Sequence, residues 1–206
     1  MTDHDVDKAY ALTTPESARA LYDDWAPRYD AGFADSHGYA APRAIAAAFR
    51  HHDQGDTPVL DVGAGTGLLA EAMTGAVVDG LDISAQMLTV AAEKGLYRQR
   101  IVADVLAPLA IADATYGAVI SAGTFTHGHV GPACLPELLR ICRPGALFVC
   151  GCVPAVYDGM GFGSALAMLN AQGVIGPLQF HDIAIYEGKD HAHAQDRGLV
   201  MVFRKL

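Results

Sequence analysis

Three carboxylates, Asp61, Asp82 and Asp104, each close a short apolar run, and the first stands two residues before a glycine-rich loop in VLDVGAGTG at 59–67. Glycine at 63, 65 and 67 lets a backbone turn tightly and approach a ligand with no side chain in the way. Asp61 restricts what that ligand is. A buried carboxylate beside the loop repels a pyrophosphate and attracts a cation. Asp82 follows Asp61 by 21 residues, the interval at which an acid at the end of the second strand meets ribose hydroxyls in a doubly wound sheet. Asp104, in IVADV, stands where it reaches an adenine amino group while Ile83 and Val105 flank the ring. Taken singly, each acid also reads as a helix N-cap or a solvated turn, the commoner use of aspartate.

Three ligands compete for such a loop. A nicotinamide dinucleotide calls for glycine at position 68, which is Leu68, and a phosphate-cradling P-loop calls for lysine after the closing glycine, where Leu68 and Leu69 stand. S-adenosylmethionine carries an ammonium, a sulfonium and no phosphate, and it satisfies Asp61, Asp82 and Asp104 together. Ala64, Thr66, Met87 and Ser121 complete the residues assigned here to this cofactor.

The elements that must position these residues alternate. Strand-like runs cover 59–62, 77–81, 99–103, 116–121 and 146–152, and helical runs cover 68–74, 85–94 and 134–142, with Ser84 as N-cap and Gly95 as stop of the second. This βαβ alternation predicts an α/β fold: a doubly wound, Rossmann-like and mostly parallel sheet with helices on both faces. After a helix over 164–172, runs at 179–186 and 198–203 joined by a polar turn predict a C-terminal antiparallel hairpin and a seven-stranded sheet. Two helices precede the sheet, one opening at Thr14 and Pro15 with Ala18, Leu21, Tyr22 and Trp25 on one face, the other over about 42–50. The expected layout is one domain over 1–206, with a helical cap at 1–52 and a sheet core at 58–206.

VLDVGAGTG, GLDIS at 80–84, ADV at 103–105 and LLRICRPGALFV at 138–149 resemble the glycine, ribose-acid, adenine and fifth-strand motifs of class I S-adenosylmethionine-dependent methyltransferases. YDDWAPRYD at 22–30 is similar to the N-terminal segment that closes over the cofactor in that family. Together with GLYRQR and GTFTHGHVGPACLPELLRICRPG, it resembles the methyltransferase-like proteins named after the Williams–Beuren syndrome region. The resemblance implies that Tyr29 hydrogen-bonds the methionine carboxylate and Trp25 covers the methyl cavity; as core residues, both simply seal the first helix to the sheet. Residues 21–35 are then expected to order on cofactor binding.

Methyl transfer is an in-line displacement, so alignment and exclusion of water are the main tasks, and a base is needed only for a protonated nucleophile. His127 and His129, in the loop after the fourth strand, are the candidate bases; their other role is local hydrogen bonding in a turn. The H-x-H pair at His127 and His129 is two ligands only, the pair at His191 and His193 sits in a polar hairpin turn, and Cys150 and Cys152 share one face of an apolar strand, so no metal site is assigned.

A net charge of −9 disfavours a broad nucleic-acid-binding face, and no apolar run approaches the length of a membrane span. The acidic N-terminus lacks the pattern of an export signal, and four cysteines fit reduced thiols in a cytoplasmic protein. With little lid material and no large insertion, the expected acceptor is a small molecule. The alternative is a cofactor-binding or partner-binding domain without turnover.

Overall fold

A computed structural model of the chain describes residues 8, 11–12, 14–126 and 130–206. Helix α1 (Pro15–Trp25) begins as predicted: Thr14 caps it, its hydroxyl accepting from the Ser17 amide at 3.2 Å, and Pro15 takes the first position. The chain then stays helical where the sequence reading left a gap. A 3-10 turn (Ala26–Arg28), a π-helical turn (Asp30–Ala34) and the short α2 (Asp35–His37) follow, ending at Gly38 with φ of 66°. Trp25, Tyr29, Phe33 and His37 recur every four residues, and this common face keeps the run helical: successive ring centroids lie 6.5, 5.1 and 5.2 Å apart. Helix α3 (Ala41–His52) buries Ile45, Ala46 and Phe49 on the sheet.

The sheet contains β1 (Val59–Val62), β2 (Val78–Asp82), β3 (Arg100–Val102), β4 (Tyr116–Phe125), β5 (Cys142–Cys152), β6 (Gln179–Ala184) and β7 (Arg197–Arg204). Between them lie α4 (Leu68–Glu71), α5 (Ala85–Lys94), α6 (Leu135–Ile141), α7 (Pro154–Gly159) and α8 (Phe162–Ala171). The order is β3-β2-β1-β4-β5-β7-β6, parallel from β3 to β5 and antiparallel where β7 meets β5 and β6. The seven-stranded α/β expectation therefore holds. β1 and β2 are buried on both faces, and adjacent residues enter opposite cores: Leu60 and Val62 join Phe148 and Phe125, whereas Val59 joins Ile120 and Val149.

The hairpin differs in one respect. β6 stops at Ala184, two residues short of the expected run, because Tyr186 leaves β7 and forms a bridge with Tyr39. That bridge ties the N-terminal segment to the far end of the sheet. Cys134, Cys142, Cys150 and Cys152 are all buried and unbridged. Among the described residues, no helix is long and apolar enough to cross a membrane and no group of three or more potential metal ligands occurs.

Candidate functional site

The chain order reverses between β1 and β4, and the loops at their carboxyl ends open a crevice at that switch point, where open α/β sheets bind ligands. Gly63, directly after β1, has φ of 70°, and a Cβ there would lie 1.8 Å from Thr124 Oγ1. No other residue fits. Thr124 and Ser121 hydroxyls both donate to the Val62 carbonyl at 2.7 Å, so β4 pins the end of β1. Asp82 holds the loop from the other side: its carboxylate accepts from the Gly65 and Ser84 amides, each at 2.8 Å. Burial raises the Asp82 pKa, while these two amide bonds oppose the rise.

One cleft of about 750 Å³ gathers most of the residues singled out from sequence: Tyr29, Gly63, Gly65, Asp82, Ile83, Met87, Asp104 and Val105. Tyr22, Gly123 and Thr124 also line it, although the sequence reading assigned none of them. Ala64 and Thr66 face an adjoining recess with Gly63 and Gly65. Asp104 accepts from the Leu106 amide at 2.9 Å, the turn geometry anticipated as its alternative role, and still borders the cleft.

Four assigned residues lie elsewhere. Ser121 is fully buried behind the loop and serves the Val62 carbonyl. Gly67 has φ of 92° and opens α4. Trp25 lines a second cavity, on the other side of Tyr29. Asp61 is 1% exposed, beneath the loop rather than in it; Tyr97 donates to its Oδ2 at 2.7 Å, and its Oδ1 has no hydrogen-bond partner among the described residues. Burial pushes its pKa up to about 7, with the Tyr97 bond lowering it and Asp82 raising it. His127 and His129 lie outside the described residues; Thr126, just before them, lines the second cavity.

The N-terminal segment is fastened to this site by contacts that the sequence did not reveal. Asp30 accepts from Thr66 Oγ1 and from Lys94 Nζ, both at 2.5 Å, and Lys94 also reaches Glu71 at 2.6 Å. Asp23 accepts from Ser84 Oγ at 2.6 Å. These pairs join residues 36 and 61 positions apart, which no local pattern signals. The second cavity has the opposite character: Tyr22, Trp25, Tyr29, Phe33, Tyr39 and Tyr186 supply its rings, and it shares Gly123 with the first cleft. The recurrence W-x3-Y-x3-F was the available signal for Phe33.

Residues 60–150 match the family model described as a methyltransferase domain. Over these residues, a little under half of its length, the chain carries a methyltransferase domain, and S-adenosylmethionine is its cofactor. Solved structures share the methyltransferase fold. A possible histamine N-methyltransferase from Thermotoga maritima is 14% identical, with a TM-score of 0.66 over 91% of this chain and 99% of that one. A 1,6-didemethyltoxoflavin N1-methyltransferase from Burkholderia thailandensis, bound to that compound and S-adenosylhomocysteine, is 22% identical, with a TM-score of 0.65 over 94% and 91%. The [4+2]-cyclase SpnF is 20% identical, with a TM-score of 0.68 over 94% and 97%. A search of curated proteins finds no match.

The methyltransferase cleft fits its cofactor. Among the described residues lining it, Asp82 and Asp104 are the charged ones and no lysine or arginine appears, which suits a cation without phosphate. Ile83, Met87 and Val105 offer apolar surface beside them.

Proposed function

We propose that the first cleft holds S-adenosylmethionine and that the aromatic cavity holds a small-molecule methyl acceptor. The observation that carries this reading is that the two cavities share Tyr22, Tyr29 and Gly123. The bound donor supplies an electrophilic methyl group: the acceptor's lone pair forms the new bond while the carbon–sulfur pair returns to sulfur, and any proton on the acceptor atom is then released.

The chain's own tasks are to hold, align and keep dry. Asp82 accepts the ribose hydroxyls, Ile83 and Val105 flank the adenine beside Asp104, and Gly63 and Gly65 admit the methionine portion with Tyr29 over it. Trp25 closes the acceptor side. Among the described walls of the acceptor cavity no base stands ready: burial drives Cys152 up to about 12 and raises Tyr29 well above its ordinary value. An acceptor atom with an available lone pair therefore suits the cavity, and His127 or His129 is the base for a protonated one. The toxoflavin-precursor enzyme supports a small-molecule acceptor, whereas the cyclase, named for another reaction, leaves a second reading in which this chain binds cofactor or a partner without methyl transfer.

Thermal unfolding with S-adenosylmethionine, S-adenosylhomocysteine and NAD tests the donor assignment. At about 100 times its Kd a ligand adds ~2.7 kcal/mol, or roughly 5–10 °C at this length. The two methionine-derived ligands should shift the wild type but not Asp82→Ala. A shift with NAD alone would overturn the assignment.

A further inference from the structure

We infer that the second cavity selects a flat, uncharged, aromatic acceptor, a conclusion that rests on the first cleft being the donor site. No Lys, Arg, His, Asp or Glu is among the described residues lining it. A charged acceptor entering there gives up its hydration and finds no countercharge on the described walls, which disfavours it. A positive charge meets a second obstacle, because the donor's sulfonium belongs at the shared mouth and like charges repel. A protonated amine, moreover, has no lone pair to offer.

Flatness follows from the wall. Trp25, Tyr29 and Phe33 come from successive turns of the N-terminal helical run, with interplanar angles of 32° for Trp25–Tyr29, 32° for Tyr29–Phe33 and 25° for Trp25–Phe33. The three rings lie within 32° of parallel and, with Tyr22, Tyr39 and Tyr186, make the lining predominantly aromatic, a surface on which another ring loses least contact when it packs. Each good ring pair favours an aromatic ligand over an aliphatic one of equal area by about twofold to tenfold. Small residues also line the cavity: Gly151 and Gly198 at the ends of β5 and β7, and Ala122 in β4. A Cβ on Gly198 would already touch Ile183 and Ile185 at 3.3 Å.

Matched probes separate shape from charge. In calorimetry with saturating S-adenosylhomocysteine, 2-naphthol is the neutral flat probe, decahydro-2-naphthol its puckered counterpart, and 2-naphthoate and 2-naphthylmethylammonium its anionic and cationic counterparts. The expected result is 2-naphthol binding at least tenfold tighter than each of the others. Val153→Phe and, independently, Ile183→Phe fill the second cavity without touching the first. Each should weaken 2-naphthol at least tenfold with S-adenosylhomocysteine affinity unchanged, which also shows that the variant folds. Equal binding of the puckered probe, tighter binding of a charged one, or unchanged 2-naphthol binding in a cofactor-competent variant overturns the inference. Failure of S-adenosylhomocysteine to bind the wild type overturns the donor assignment instead, and the inference with it.

Discussion

Asp61 is an expensive residue to keep. Its carboxylate is almost fully enclosed, and among the described residues one oxygen has only the Tyr97 hydroxyl and the other has no partner. Unfolded, it ionises near 3.8; folded, at about 7. Between those values the folded chain retains a proton that the unfolded chain has lost, so stability falls as pH rises through this window and levels off above it. Asp61→Asn removes the slope and should stabilise the protein at pH 8 by roughly 2–4 kcal/mol, taking one pKa unit as about 1.4 kcal/mol. The same change removes negative potential beneath the loop and should weaken S-adenosylmethionine about tenfold. Unfolding curves at pH 5 and 8, with cofactor titrations, check both; a destabilised Asn variant at pH 8 would mean that the carboxylate is better solvated than its burial implies. The sequence showed a lone acid in an apolar strand next to glycines, which sufficed to choose a cation over a phosphate. It did not show Tyr97, because that partner arrives 36 residues later through the packing of the chain that follows α5.

At the scale of elements, the N-terminal helical run lies against the site and is secured there by a few polar contacts. Asp30 bridges Thr66 of the glycine loop and Lys94 of α5, and Asp23 holds Ser84, the cap of that helix. Lys94 and Asp30 are partly exposed, at 23% and 33% of their side chains, so each ion pair contributes at most about 1 kcal/mol and weakens with salt. Asp30→Ala should therefore leave global stability almost unchanged while speeding amide exchange over residues 21–35 and weakening S-adenosylmethionine by a few-fold. Cofactor addition should slow exchange in that segment of the wild type; identical exchange with and without cofactor would show that the cover does not respond to the site. Strand and helix order could be read from glycines, caps and apolar runs because those signals are local. The length of the cover was legible only in part: the rings four residues apart are a local signal, but their packing on Tyr186, more than 150 positions away for Phe33, is not.

Across the whole molecule the parallel strands have two functionally different ends. At their carboxyl ends lie glycines, two carboxylates and two open cavities, an arrangement that stabilises little. Near their amino ends lies Asp79 in β2, fully buried, accepting from Arg98 Nε at 2.9 Å and Nη2 at 2.6 Å, the Gln99 amide at 3.1 Å and the Tyr116 hydroxyl at 2.9 Å. This carboxylate is satisfied on every side and fastens the approach to β3 and the start of β4 to β2. Asp79→Ala strands the Tyr116 hydroxyl and the Arg98 charge; the half-exposed guanidinium recovers some hydration, so the loss should be roughly 2–4 kcal/mol rather than the upper value for a wholly buried pair. Asp82→Ala, only three residues along the same strand, should do the reverse, abolishing cofactor binding at modest cost in stability. Denaturant unfolding and cofactor calorimetry on both variants, below the melting temperature of the weaker one, test this division. Folded Asp79→Ala should bind S-adenosylmethionine as the wild type does. A loss of affinity beyond a few-fold would mean that the two ends are coupled through the strand, and that the glycine loop depends on the network beneath it for its shape.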